Sequence, residues 1–213
     1  IIKKYPNNVN VHISLARSYM ALDNNVKAQE AAMNALSIET DNPTARSVLA
    51  QIYVGNDEVP QAINQLKRVL PDNSKLLNVY DLGILYMDVE EYDNAILTYK
   101  QGVENFPENS ILWCNLAIVY QMNKDYKGAK DDCMKALNIQ PDGTVSNLCM
   151  VNLYLAKGEL ENAGRHLKGM IKLNDAQKRI YLDLVELCNL DKELADKIPY
   201  HLARALAYTN NRW

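Results

Sequence analysis

Apolar positions along the chain fall into short helical runs separated by polar breaks. In "WCNLAIVYQMNKDYKGA", which occupies 113–129, Trp113, Leu116, Ala117 and Tyr120 stand at i, i+3, i+4 and i+7. That is the spacing of one face of an α-helix. The polar break Asn123-Lys124-Asp125 follows, and a second helical run carries Ala129, Cys133 and Ala136 at i, i+4 and i+7. A break of the same kind, Lys157-Gly158-Glu159, comes one unit later. The pattern predicts pairs of helices joined by tight turns, and no strand.

The pattern recurs. Tyrosine stands at 19, 53, 86, 120 and 154, in steps of 34, 33, 34 and 34. Nine residues after each comes Ala28, Ala62, Ala95, Ala129 or Ala163. Three residues before each is Ala16, Ala50, Gly83, Ala117 or Val151, and one earlier is Leu15, Leu49, Leu82, Leu116 or Met150. A fixed period of this length is the signature of a stacked repeat array. Two antiparallel helices approach closely only where side chains are small, which accounts for the glycine and alanine columns. One such pair has too small a core to stand alone, so neighbouring pairs must stack. Pro6, Pro107 and Pro141 share one register at unit ends, where proline, lacking an N–H, cannot continue a helix.

Trp113, Leu116, Ala117, Tyr120, Tyr126, Ala129, Ala136 and Pro141 resemble the tetratricopeptide repeat, and only the Cys133 column, usually aromatic, departs. Leu82, Gly83, Tyr86, Tyr92, Ala95, Tyr99 and Pro107 match as well. The resemblance implies an all-α superhelix, or solenoid, of stacked antiparallel hairpins, read as a single array over 1–213. The repeats are 9–42, 43–75, 76–109, 110–143 and 144–175. The second is one residue short and carries Pro60 near the start of its second helix, where proline is tolerated. Residues 1–8 read as the end of a preceding repeat. Residues 176–213 read as irregular helices, with Arg212-Trp213 resembling the start of a further hairpin. The array is therefore expected to continue in a longer parent protein.

Composition narrows the function classes. Hydrophobic residues make up 48% and charged ones 23%, as in ordinary folded domains, and the formal net charge of −3 gives no electrostatic case for a nucleic-acid or membrane partner. No apolar stretch approaches a membrane span. Cys114, Cys133, Cys149 and Cys188 lack zinc-ligand spacing and read as buried small side chains. A disulfide requires that two of their columns meet in space. His12, His166 and His201 lie in different units and read as surface or structural. Lys124, Lys127 and Lys130, alternating with Asp125, Asp131 and Asp132, read as a solvated face. Arg165, Lys168 and Lys172 line one helix face that reads as plain surface. No phosphate loop, nucleophile elbow or HExxH occurs, so no catalytic residue, metal ligand or cofactor is expected.

In tetratricopeptide arrays the first helices line the concave face, and positions 2, 5, 9, 12 and 13 of each unit contact ligand. By that resemblance the groove is expected to present Tyr80, Ile84 and Met87 from the third unit. The fourth gives Ile111, Ile118, Gln121 and Met122, and the fifth gives Leu148, Asn152 and Leu155. Polar residues such as Arg17 and Gln51 take these columns toward the N-terminus. The Lys-Asn-Asn-Lys-Arg clamp that grips chaperone tails is not matched: Ile13, Arg17, Val48, Leu77 and Asp81 stand there. The leading expectation is a non-enzymatic scaffold that binds a protein or peptide segment in its concave groove through apolar anchors, or supports assembly of a multiprotein complex, with self-association open. The alternatives are a regulatory or substrate-recruiting module of a larger enzyme, and a structural array whose groove its own helices fill.

Overall fold

The computed structural model describes residues 5–70 and 76–169, and among these every regular element is an α-helix. They are α1 (Val9–Ala21), α2 (Asn25–Ile38), α3 (Pro43–Gly55), α4 (Val59–Val69), α5 (Leu76–Asp88), α6 (Tyr92–Asn105), α7 (Ser110–Met122), α8 (Tyr126–Ile139), α9 (Thr144–Ala156) and α10 (Leu160–Gly169). The chain divides after Leu85 into two compact units. In the first, α1 packs on α2 and α3, and α3 on α4. In the second, α7 packs on α6, α8 and α9, and α9 also on α8 and α10. Of the stretch 1–8, read as the end of a preceding repeat, residues 1–4 lie outside the described residues, as do 176–213, read as irregular helices, and residues 5–8 are not helical.

One backbone device makes the turn inside each described helix pair. Asp23, Asp57, Glu90, Lys124 and Gly158 have positive φ, between 56° and 70°. The next residue's N–H returns to the carbonyl of the column tyrosine: Asn24 to Tyr19 at 2.9 Å, and Glu58, Glu91, Asp125 and Glu159 to Tyr53, Tyr86, Tyr120 and Tyr154 at 2.8 Å. The positive-φ residue's own N–H bonds the residue after the tyrosine, as in Lys124 to Gln121 at 2.9 Å. This is the Schellman arrangement, which satisfies carbonyls left open at a helix end. Glycine fills the left-handed position only at 158, so four turns place a side chain in a conformation that L-residues resist. The residue that closes each turn also begins the next helix. Asn24 and Asp125 accept from Lys27 and Gly128 N–H at 3.2 and 3.0 Å.

The small columns lie where close helix approach requires them. Ala16, Ala28, Ala62, Ala95, Ala117, Ala129 and Ala163 have no exposed surface at all. Pro60 sits in the first turn of α4, as its missing N–H allows. A second regularity involves quite different side chains. In α1, α3, α7 and α9 the fourth residue reaches back six residues to a backbone carbonyl, whereas α5 has Val79 at that position. His12 Nε2 meets Pro6 O at 2.7 Å, and Arg46 donates to Thr40 O at 2.5 Å. Trp113 Nε1 donates to Pro107 O at 2.8 Å, and Asn147 Nδ2 to Pro141 O at 2.9 Å. Each ties a repeat's first helix to the end of the repeat before it.

Two expectations are corrected. Cys133 of α8 and Cys149 of α9 form a disulfide, with Cα atoms 5.7 Å apart, rather than lying as separate small side chains. Their columns meet because position 24 of one repeat faces position 6 of the next, 16 residues on. Cys114 does stay a buried thiol. Asp132 is not on a solvated face: it is buried, bonded to Lys135 Nζ at 2.9 Å. The same Nζ lies 4.1 Å from the centre of the Trp113 ring, so the pair joins α7 to α8 through a cation–π contact.

Candidate functional site

The expected groove residues divide between the two units. Tyr80 and Ile84 on α5 lie in the first; Met87 and all those on α7 and α9 lie in the second. Each belongs to a first helix, and α7 and α9 pack on one another within the second unit. Their exposure differs from that of an open apolar groove. Ile111 and Met122 are half-buried. Tyr80, Ile84, Met87, Ile118, Gln121, Leu148, Asn152 and Leu155 are all buried, with Ile118 at 0%. In this conformation those eight side chains are packed rather than presented.

Burial makes the polar members of these columns conspicuous. Gln121 and Asn152 are each 3% exposed. Gln121 has no hydrogen-bond partner for either amide atom, and Asn152 none for Nδ2. Asn115, one helical turn and a half before Gln121, is fully buried with neither amide atom paired. A buried amide without partners loses its hydration and gains nothing, at a cost of about 1–3 kcal/mol. Native chains leave few such groups, and each calls for a reason. Sequence reading selected Gln121 and Asn152 by column, but their lack of partners has no sequence signal. Asn115 was missed because it lies outside the ligand columns.

In the first unit the corresponding surface is polar. Ser47 Oγ lies 2.9 Å from Asn78 Oδ1, joining α3 to α5. One turn further along both helices the Gln51 side chain bonds the Asp81 carboxylate. Burial pushes Asp81 up to about 6, and the Gln51 hydrogen bond pulls the other way.

Cys114 and His166 are shifted by burial alone. Burial pushes the Cys114 thiol up to about 12, so it holds almost no thiolate, the nucleophilic form. Burial lowers His166, whose ring stands edge-on to Tyr154 at 6.3 Å. Arg165 bonds Asn162 Oδ1 at 2.8 Å along its own helix. Among the described residues no group of His, Cys, Asp or Glu side chains has the placement to hold a metal ion, and no helix is long and apolar enough to cross a membrane.

Comparison with known proteins agrees with this architecture. The tetratricopeptide repeat model matches residues 110–142. Tetratricopeptide repeat protein 8 of Caenorhabditis elegans is 23% identical over 144 residues, 67% of this chain and 28% of that protein. Anaphase-promoting complex subunit 3 of Schizosaccharomyces pombe is 23% identical over 118 residues, 55% of this chain and 18% of that protein. The chain thus spans less than a third of either relative. Among solved structures, a tetratricopeptide repeat protein from Parabacteroides merdae superposes with a TM-score of 0.72 at 16% identity, covering 95% of this chain and 86% of that one. YrrB, described as a tetratricopeptide repeat protein with an unusual peptide-binding site, gives 0.65 at 15% identity, with 91% and 93% covered.

Proposed function

We propose that this chain, which belongs to the tetratricopeptide repeat family, is a scaffold that binds an extended protein segment along α7 and α9. The family's role is protein–protein interaction and complex assembly, and its members are generally non-enzymatic. The observation that carries the finer reading is the set of unpaired amides at Gln121 and Asn152. A main chain laid along these helices offers the donor and acceptor that Gln121 lacks and the acceptor that Asn152 Nδ2 lacks. The apolar anchors of the same columns, Ile118, Leu148 and Leu155 on these helices with Ile111 and Met122 at their margins, would bury the segment's side chains. Met87 belongs to the same unit, while Tyr80 and Ile84 are proposed, by column alone, as partner contacts of the first unit. Because most of these side chains are packed, binding requires a state in which α7 and α9 uncover them.

A second reading has an observation of its own. Burial of eight of the ten side chains favours a structural array in which these columns serve packing alone. The two readings part at the amides. Replacing Gln121 and Asn152 by leucine removes polar atoms that have no partner here, so the fold should be retained or slightly stabilised. Under the scaffold reading the double variant loses proteins that the wild type captures from its native source. Unchanged capture by a folded variant would favour packing alone. Aspartate at Ile84 and Ile118 tests something else: at these burial levels the variant should lose helicity, because the residues are core.

A further inference from the structure

The polar seam between α3 and α5 has a surplus of acceptors. Ser47 Oγ lies 2.9 Å from both Pro43 O and Asn78 Oδ1. One hydroxyl proton cannot serve two acceptors. Turning the Asn78 amide end for end resolves this: Nδ2 then donates to Ser47 Oγ, whose proton goes to Pro43 O. In either orientation one end of this amide, 2% exposed, has no partner. In the turned form that end is a carbonyl oxygen. Asp81, three residues on, is its neighbour on the helix surface. Its carboxylate is half-buried and bonds the neutral Gln51.

No cation answers these acceptors within the described part of the unit. Arg46 of α3 is committed to Thr40 O, Asp41 and Gln65 Oε1. Arg68 of α4 lies on Asp41, while Lys67 and, on α1, Arg17 are exposed. Asp88 is two turns along α5. The causes of the Asp81 shift are burial and Gln51, with no contribution from any of these charges. A desolvated carboxylate with no counter-charge among the described residues is costly in the free protein, and an arriving cation removes that cost.

We propose that Asp81, Asn78 and Gln51 form the seat for a positively charged side chain, a lysine or arginine, of a protein segment bound by the first unit. This rests on the scaffold reading for its biological occupant, but the seat can be tested without it. The test is a carbon NMR pH titration of the Asp81 carboxyl in the full chain, assigned by its absence in Asp81→Asn. The probe is N-acetyl-lysine methylamide, and the uncharged control is N-acetyl-norleucine methylamide. Without probe the midpoint should fall above the ordinary carboxylate range, at about 6. With the lysine probe near saturation it should fall by about one unit, a roughly tenfold preference of the probe for the charged carboxyl. The control should leave it in place.

Asp81→Asn retains an acceptor for Gln51 and is expected to fold. The Asp81 midpoint lies above its unfolded value of 3.8. The folded chain therefore holds this proton more tightly, and wild type loses stability as pH rises from about 4 through about 6. The asparagine variant lacks that loss. Equal midpoints with both probes, or lysine-probe binding undiminished in Asp81→Asn, would overturn the seat. A lysine-specific shift in a chain whose Gln121/Asn152 variant captures normally would sink only the α7–α9 reading. Lost capture in that variant without the lysine-specific shift would sink only the seat.

Discussion

The three-helix sets α1–α2–α3 and α7–α8–α9 are built on the same register and closed by different chemistry. In both, the tyrosine carbonyl accepts from the residue five positions on, and paired alanines meet without exposed surface. Position 24 and position 6 of the next repeat hold Ala32 and Val48 in the first set, in an alanine-rich core. In the second they hold Cys133 and Cys149, joined covalently. The end of the repeat before the third helix is held by Arg46, which also engages Asp41 and Gln65, in one case and by the neutral Asn147 in the other. The repeat register thus dictates the backbone and the close-approach positions. It leaves the seam free to be apolar, ionic or covalent.

The largest break in the comparison should come from reduction. Opening a loop of this size releases about 3 kcal/mol of chain-entropy stabilisation. Thermal melts with and without reductant, read with hydrogen exchange, should show α8 and α9 losing protection while α1 to α3 do not. The Cys133→Ala/Cys149→Ala variant should be insensitive to reductant. Next come the equivalent alanines. Ala129→Leu and Ala28→Leu should each cost about 1–3 kcal/mol by overpacking, whereas exposed Lys127→Ala should stay within about 0.5 kcal/mol. Unequal costs for the two alanines would break the register equivalence.

Trp113→Phe keeps an aromatic ring but loses the bond to Pro107 O, and should cost about 1 kcal/mol in a denaturant melt. The smallest effect is a gain. Lys124→Gly and Asp23→Gly each relieve a left-handed side chain, offset by glycine's extra freedom when unfolded, for a net gain below about 1 kcal/mol. The reverse change, Gly158→Ala, meets no atom within 4 Å, so any loss measured there is conformational strain alone.

The hairpins were legible because their determinants are periodic: tyrosine, small-residue and proline columns survive as residue types. The turn geometry was not, since Asp23, Asp57, Glu90, Lys124 and Gly158 share one backbone conformation across four residue types. The backward bond of position 4 was hidden for the same reason, as His, Arg, Trp and Asn have in common only a nitrogen able to reach the carbonyl. Cys133 was legible as a departure from its column, but pairing with Cys149 depends on which columns face each other across a seam. Asp132 misled because alternation of charges along a sequence says nothing of which one turns inward. The groove columns located Gln121 and Asn152, while their burial is a property of packing that column position does not carry.

The scaffold reading is tested most directly where a ligand-facing column still has surface. Met122 is half-buried on α7, and Leu97 on α6 is exposed but lies outside the ligand columns. A photo-reactive benzoylphenylalanine placed at each position, in otherwise wild-type chain, can be irradiated in extract of the native source. The account predicts a discrete protein adduct from position 122 and none from position 97. Adducts from position 97 alone, or none from position 122 while wild-type chain still captures protein, would contradict it.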